Sequence, residues 1–219
     1  MAELDDRNFS KDFLIAEFNA IQDRAIGLEE IKSGRINFFL IIVAATIAGL
    51  SSLPENLKTN YSSIVLVGAV IVFLLGVSTL KSVMGYSVAI VILFRKAGRI
   101  RRWFVNNDKS IEKYIPFEAN DDRPPIKIAA WLIGWRGGEP ILLITNATAL
   151  SVATGVGVSY LSLSWAVVSA VVVLLIMWEI QVLYMSGHLK KHEFLENRKS
   201  LYPTTDSQAK KKSSRKNAT

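Results

Sequence analysis

Two ionisable side chains, Lys81 and Glu179, each end a long uncharged segment of the chain. Lys81 follows 22 uncharged residues after Lys58, and Glu179 follows 39 after Glu139. Segments of this length are typical of membrane-spanning helices, which need roughly 20 apolar residues. An ionisable group in hydrocarbon is costly, and it is therefore a candidate functional group. We expect Lys81 and Glu179 to pair or to share a polar constriction. The alternative is that Lys81 extends to the membrane surface and Glu179 binds water at the cytoplasmic mouth.

The longest uncharged segment begins with the most polar of the candidate spans. Hydroxyl and amide groups there could line a water-filled path, and with Lys81 and Glu179 they complete the candidates for a pore or gate. They are Thr145, Asn146 and Thr148. Small residues also recur in this helix at four-residue steps, a spacing that lets two helices approach closely. They are Ala149, Ala153 and Gly157.

Five cations lie within eight residues after the second apolar stretch, and a tryptophan follows them directly. The set is Arg95, Lys96, Arg99, Arg101 and Arg102, with Trp103 beside it. Anchoring to anionic lipid headgroups on the cytoplasmic side is the ordinary explanation of such a cluster. The other interpretation is a surface that binds a nucleotide or single-stranded nucleic acid, on which the indole ring stacks against a base.

The chain contains none of the sequence motifs that would predict an enzyme. It has no phosphate-binding Walker loop, no GxSxG elbow and no HExxH motif. The absence of cysteine excludes a thiol nucleophile and a cysteine-based zinc site, and two histidines are too few for a His-rich metal site. The Asp121-Asp122 pair, next to Arg123, is interpreted as turn chemistry. We therefore predict a protein that is not an enzyme and that needs no metal or cofactor.

The uncharged segments predict an all-α membrane protein with four transmembrane helices. The first runs from residue 36 to 53, the second from 63 past Lys81 to 94, and the 39-residue segment forms a hairpin of two spans, about 140–158 and 164–186. A single helix of that length would be too long for one crossing, and the Gly- and Ser-rich stretch inside it offers the break.

Lysine and arginine are concentrated on one side of these spans. Residues 1–35 carry five of them, residues 95–139 carry ten and residues 187–219 carry nine, whereas the two opposite loops carry only Lys58. The positive-inside rule then places both termini and the central loop in the cytoplasm. No secretory signal precedes the first span, and a bacterial inner membrane is the expected location.

This placement predicts a layout of five segments. They are a cytoplasmic N-terminal helix in 1–35, a first transmembrane pair with a cytoplasmic helix extension in 36–94, a basic cytoplasmic loop with an interfacial helix in 95–139, a second transmembrane pair in 140–186 and a basic, partly disordered cytoplasmic tail in 187–219.

Apolar stripes with helical spacing predict how the cytoplasmic helices pack. One stripe runs through a helix of about residues 10–32, which packs on the protein's own cytoplasmic part or on other copies. Its members are Leu14, Phe18, Ile21, Ala25 and Leu28. We expect a bend at Ser33-Gly34, a loop over 105–125, a short interfacial helix over 126–135 with Trp131 and Trp135, and disorder over 203–219.

The polar helix Glu17–Arg24, which leads through Arg35-Ile36-Asn37-Phe38-Phe39 into paired spans ending at Leu80, resembles the small bacterial membrane effectors of anti-phage defence. The channel subunit of Hailong-type systems is among them, and the likeness covers about a third of the chain. The resemblance implies a nucleotide-gated channel, held closed by an oligodeoxyadenylate that a partner nucleotidyltransferase makes.

Taken together, these features predict a homo-oligomeric ion channel or pore-forming effector in the lipid bilayer. Its pore would lie on the symmetry axis and respond to a cytoplasmic nucleotide or oligonucleotide. The alternative is a non-conducting membrane-anchored adaptor whose basic cytoplasmic face binds a protein or nucleic acid. A small transporter ranks below both, because the two helical pairs show no internal repeat.

Overall fold

The computed structural model describes residues 2–54, 60–126 and 138–202, with side chains from Ser10 onward. Of these residues, 86% are helical and none is in a strand. The elements are α1 (Ala2–Ser51), α2 (Tyr61–Asn107), a 3-10 helix (Lys109–Tyr114), α3 (Glu139–Val158) and α4 (Leu163–Arg198). The predicted interfacial helix, from residue 127 onward, and the predicted tail at 203–219 lie outside the described residues.

Each of the four α-helices is long and apolar enough to cross a membrane. The prediction of an all-α chain with four such helices is therefore confirmed. The breaks between them have local causes. Pro54 closely follows the end of α1, Pro140 stands in the first turn of α3, and residues 159–162 separate α3 from α4.

The helices extend well beyond the predicted spans. By the usual rise, α1 with its 50 residues is roughly 75 Å long and α2 with 47 residues roughly 70 Å. The expected bend at Ser33-Gly34 is wrong, because α1 continues through it. Contacts on both sides hold the helix there: Lys32 pairs with Glu139 at 3.1 Å, and Ile36 is buried. The loop expected over 105–125 is also partly wrong, since it begins with the end of α2 and the 3-10 helix.

The described chain forms two compact units. The span unit contains residues 30–54, 60–86 and 138–188, and the terminal unit contains residues 2–29, 87–126 and 189–202. Helices α1, α2 and α4 contribute a segment to each unit. Each unit has its own apolar core.

The core of the span unit is formed by all four helices. Phe39, Val83 and Leu142 are completely or almost completely buried at its centre. The close contacts show that α1 and α2 are antiparallel, because Gly68 faces Thr46 while Gly76 faces Phe39. Helices α3 and α4 are antiparallel as well, because Asn146 meets Gln181 while Gly155 meets Ala170. Helices α2 and α4 run in the same direction, since Asn146 contacts both Gly76 and Gln181 while further along Arg95 bonds Glu193.

The core of the terminal unit joins α1 to the last third of α2. Ile21 and Ala25 of α1 are buried against Leu93, Ala97 and Ile100 of α2. The predicted α1 stripe thus packs on the protein's own α2, as one of the two interpretations proposed. Burial of such a stripe, more than the intrinsic preference of its residues, is what stabilises a helix pair in water.

Candidate functional site

Lys81 and Glu179 are both exposed on the surface of the span unit. Among the described residues neither has a hydrogen bond or an ion-pair partner, and they do not pair with each other within the subunit. Each lies in an apolar face: Leu74 is 60% exposed on the α2 face, and Leu175 is 59% exposed on the α4 face. The structure therefore presents one cation and one carboxylate outward from otherwise apolar helix surfaces.

Asn146, a candidate for the polar path, is instead completely buried at the junction of the four helices. Its side-chain nitrogen donates to the side-chain oxygen of Gln181 at 3.5 Å, and the Asn146 Oδ1 atom faces the backbone of Gly76. Phe39 closes the same point from α1. One polar atom of each amide, Asn146 Oδ1 and Gln181 Nε2, has no further hydrogen bond among the described residues. This pair fixes the packing of the helices and does not line an open path.

The two threonines of α3 lie nearer the surface. Thr145 is half-buried, and its hydroxyl donates to the carbonyl of Ile141 at 2.7 Å, one turn earlier in the helix. Thr148 is exposed, as is Val152 one turn further on. Helix α3 thus has a narrow outer face on which Thr148 is a polar group.

The small residues of α3 take part in packing only along part of the predicted ridge. Ala149 and Ala153 are buried. The prediction for Gly157 is wrong within the subunit, because a Cβ atom added there would meet open space. Gly155 takes that role instead, with Ala170 of α4 lying 3.2 Å from where its Cβ would be. At this level of α3, the residue that meets α4 is therefore Gly155 and not Gly157.

Arg95, the first cation of the basic cluster, is only 4% exposed and points into the terminal unit. It donates to Glu193 Oε2 at 2.7 Å, to Asn197 Oδ1 at 3.0 Å and to the carbonyl of Pro124 at 3.1 Å. Glu193 also accepts the backbone N–H of Ile126 at 2.6 Å. Arg95 therefore joins α2, the following loop and α4, and it does not present a charge to a ligand.

Arg99 is engaged in the same way by Asp121, whose side chain is fully buried. The carboxylate accepts from Arg99 Nε at 2.7 Å and from the backbone N–H groups of Leu201 at 2.7 Å and Tyr202 at 2.9 Å. The Ser200 hydroxyl donates to it as well. Burial alone would raise the pKa of Asp121, but these four hydrogen bonds outweigh it and hold the pKa below its ordinary value. Asp121 is therefore a buried anchor for the end of α4, in addition to being part of a turn.

The remaining members of the cluster are not bonded to a buried carboxylate. Lys96 is exposed, and the side chain of Arg102, 35% exposed, lies 3.7 Å from Glu112. Arg101 lies over the rings of Phe18 and Phe117, at 5.3 and 4.9 Å. Trp103 is half-buried and packs edge-on against its neighbour Phe104. Of the five cations, Arg95 is buried and the charge of Arg99 is matched by Asp121, which leaves three for a lipid or nucleotide.

Four important residues had no clear signal in the sequence. Gly76, Gln181 and Glu193 occupy ordinary positions of long helices, and Asp121 resembles any turn aspartate. Their roles depend on partners that are 22 to 98 residues away along the chain. Within the described ranges, no group of His, Asp or Glu could hold a metal ion.

The four apolar helices define the architecture of a multi-pass membrane protein. No protein-family model, curated protein or solved structure matches the chain. Its function is therefore inferred from its own residues.

Proposed function

We propose that the protein is a homo-oligomeric ion-conducting membrane protein whose path lies between subunits. The observation that carries the proposal is the exposure of Lys81 and Glu179 on the outside of the span unit, without partners among the described residues. Leaving a charged residue in hydrocarbon costs roughly 2.5 to 3.5 kcal/mol or more. Assembly of several copies removes both groups from lipid.

The interior of one subunit is packed with side chains, and this supports a path between copies. Val83, Leu142 and Asn146 are completely buried where the four helices meet, so the centre of the span unit is filled by side chains. Thr148 offers a hydroxyl at the outer face of α3. Helix α3 contacts α1, α2 and α4, which leaves it only a narrow exposed face, and we place this face on the symmetry axis.

Gating by a nucleotide or oligonucleotide in anti-phage defence is the second part of the proposal. It is supported by the resemblance in layout and by the accessible cations Lys96 and Arg102. Arg95 and Arg99 do not contribute, because their guanidinium groups are already engaged.

The test is ion flux through liposomes that contain the purified full chain. We expect flux, and we expect Thr148→Cys, in a chain that has no native cysteine, to be blocked by a water-soluble thiol reagent. Ser151→Cys is the matched control, because Ser151 is buried one turn away and bonded to the carbonyl of Ala170. It should remain unblocked.

An electrically silent bilayer at every ligand concentration would overturn the conducting function and favour the adaptor. To test gating, flux is measured with and without oligodeoxyadenylate for the native chain and for the Lys96→Gln, Arg102→Gln double variant. A response that is lost in the variant supports the gating proposal. An unchanged flux in the native chain overturns it.

A further inference from the structure

The exposed faces of α2 and α4 are alike in hydropathy and opposite in charge. Around Lys81 the α2 face presents Leu74 and Val77, and around Glu179 the α4 face presents Leu175 and Leu183. Lipid accommodates apolar side chains as well as another helix does, so an apolar face alone identifies no partner. Each face also carries one exposed charge, Lys81 on α2 and Glu179 on α4, and these charges are opposite in sign.

We propose that the α2 face of one copy packs against the α4 face of the next copy, joined by an ion pair from Lys81 to Glu179 of the neighbour. This inference rests on the proposed homo-oligomer and adds which surfaces meet. The partner is a second copy of this chain, because the same chain provides both a cation and a carboxylate that lack a partner.

The positions of the two residues along their helices fit such a pair. Helices α2 and α4 run in the same direction, and Lys81 is 20 residues after the start of α2 while Glu179 is 16 residues after the start of α4. The level of the two helices is set where Asn146 contacts both Gly76 and Gln181: Lys81 lies five residues beyond this point and Glu179 two residues before it, so they differ by about seven residues, or about 10 Å. A helical side chain leans toward the N-terminus of its helix, so the long lysine chain reaches back toward the level of the carboxylate.

The charges also select the symmetry. A two-fold contact between like faces would place Lys81 against Lys81 or Glu179 against Glu179, which repel. A contact between unlike faces brings opposite charges together. Unless two copies pair both faces at once, it leaves one face of each kind free, and we expect further copies to add until a ring closes. A closed ring turns the same face of every copy toward the axis, and we place the α3 face there.

Cysteine cross-linking of the full chain in membranes tests the interface. Val77 and Leu175 each precede their charged residue by one turn. A chain with both Val77→Cys and Leu175→Cys should form a ladder of covalent oligomers on oxidation, whereas either single variant should stay monomeric. The control pairs Leu175→Cys with Phe38→Cys, which is exposed on α1 and should give no ladder. Dimers from a single variant, or a ladder from the control pair alone, would overturn the proposal.

Exchange of the two charges provides an independent measurement. Lys81→Glu and Glu179→Lys should each reduce the oligomeric fraction in mild detergent about tenfold, and the double variant should restore it. Thermal unfolding identifies any variant that fails to fold, and Lys81→Arg, which retains the charge, should assemble normally. Equal losses in the single and double variants would contradict the pair.

The outcomes separate this interface from the proposed conduction. Flux without the Val77–Leu175 ladder would overturn the interface and leave the channel standing. A ladder in a bilayer without flux would leave the interface standing and overturn conduction.

Discussion

Two sets of charged side chains, one in each unit, have opposite environments. In the terminal unit, Arg95 and Asp121 are buried and every contact they make is to another part of the same chain. In the span unit, Lys81 and Glu179 are exposed and lack partners among the described residues. A buried, paired charge contributes to the folding of the subunit, whereas a charge on an outer apolar face does not. The difference separates charges that hold the fold together from the two for which we propose a role between copies.

The largest expected effect is a loss of stability, and it tests the contrast between a buried and an exposed cation at two neighbouring positions. Arg95→Gln removes a guanidinium that makes three hydrogen bonds and leaves Glu193 without its cation. We expect a loss of about 3 kcal/mol in the free energy of unfolding, at the low end of the range because Glu193 is 22% exposed. Lys96→Gln is the control and should change stability little, since Lys96 is exposed. Unfolding is followed by the fluorescence of the five tryptophans. Equal effects of the two variants would contradict the assignment.

The second prediction concerns the close contact of the span unit. A Cβ atom at position 76 would lie 1.6 Å from Asn146 Oδ1 and 2.9 Å from Phe39 Cζ. Gly76→Ala should therefore cost about 2 kcal/mol through overpacking. Gly85→Ala, on the same helix with open space around it, should be neutral or slightly stabilising.

Replacing Asn146 by alanine should relieve the clash with an alanine at position 76. In thermal unfolding in detergent, the Gly76→Ala, Asn146→Ala double variant should be more stable than the sum of the two single effects. Simple additivity would mean that the two residues do not meet.

The smallest effect is the dependence of the Asp121 anchor on pH. Because folding lowers the pKa of this carboxyl, its stabilisation is fully present above the unfolded value of about 3.9 and is lost as the pH falls through the lower folded value. Asp121→Asn should cost about 1.5 kcal/mol at pH 7. The stability difference between native chain and variant should stay constant from pH 7 to 5 and shrink in stronger acid. Asp108→Asn is the control, since an asparagine at that exposed position can also accept the N–H of Ser110. A difference that grows on acidification would contradict the anchor.

The elements of this protein could be predicted from its sequence because their signals are local. Runs without charge are directly visible, and they gave the four apolar helices. The spacing of Ile21 and Ala25 gave the α1 stripe that packs on α2. The continuation through Ser33-Gly34 was not predictable, because it depends on the contact of Lys32 with a residue 107 positions away.

The candidate site was predictable only in its residue types. The sequence shows that Lys81 and Glu179 are isolated charges at the ends of long uncharged segments. Whether they point outward depends on which face of each helix is buried, and the sequence does not show this. The direction of the buried face also decides that Asn146 of α3 is buried while Thr148, two residues later, is exposed. For the basic cluster, the sequence gives the number of cations but not the distant carboxylates that engage Arg95 and Arg99.

The junction of Gly76, Asn146, Gln181 and Phe39 limits how a single copy can change shape. Sliding one helix past another would drive the asparagine amide into a neighbouring backbone or separate it from the glutamine, leaving two polar groups stranded among hydrocarbon side chains. This junction therefore holds the four helices in a fixed register at one level. In the proposed oligomer, any opening motion is therefore expected to tilt or rotate whole subunits about the interfaces between copies.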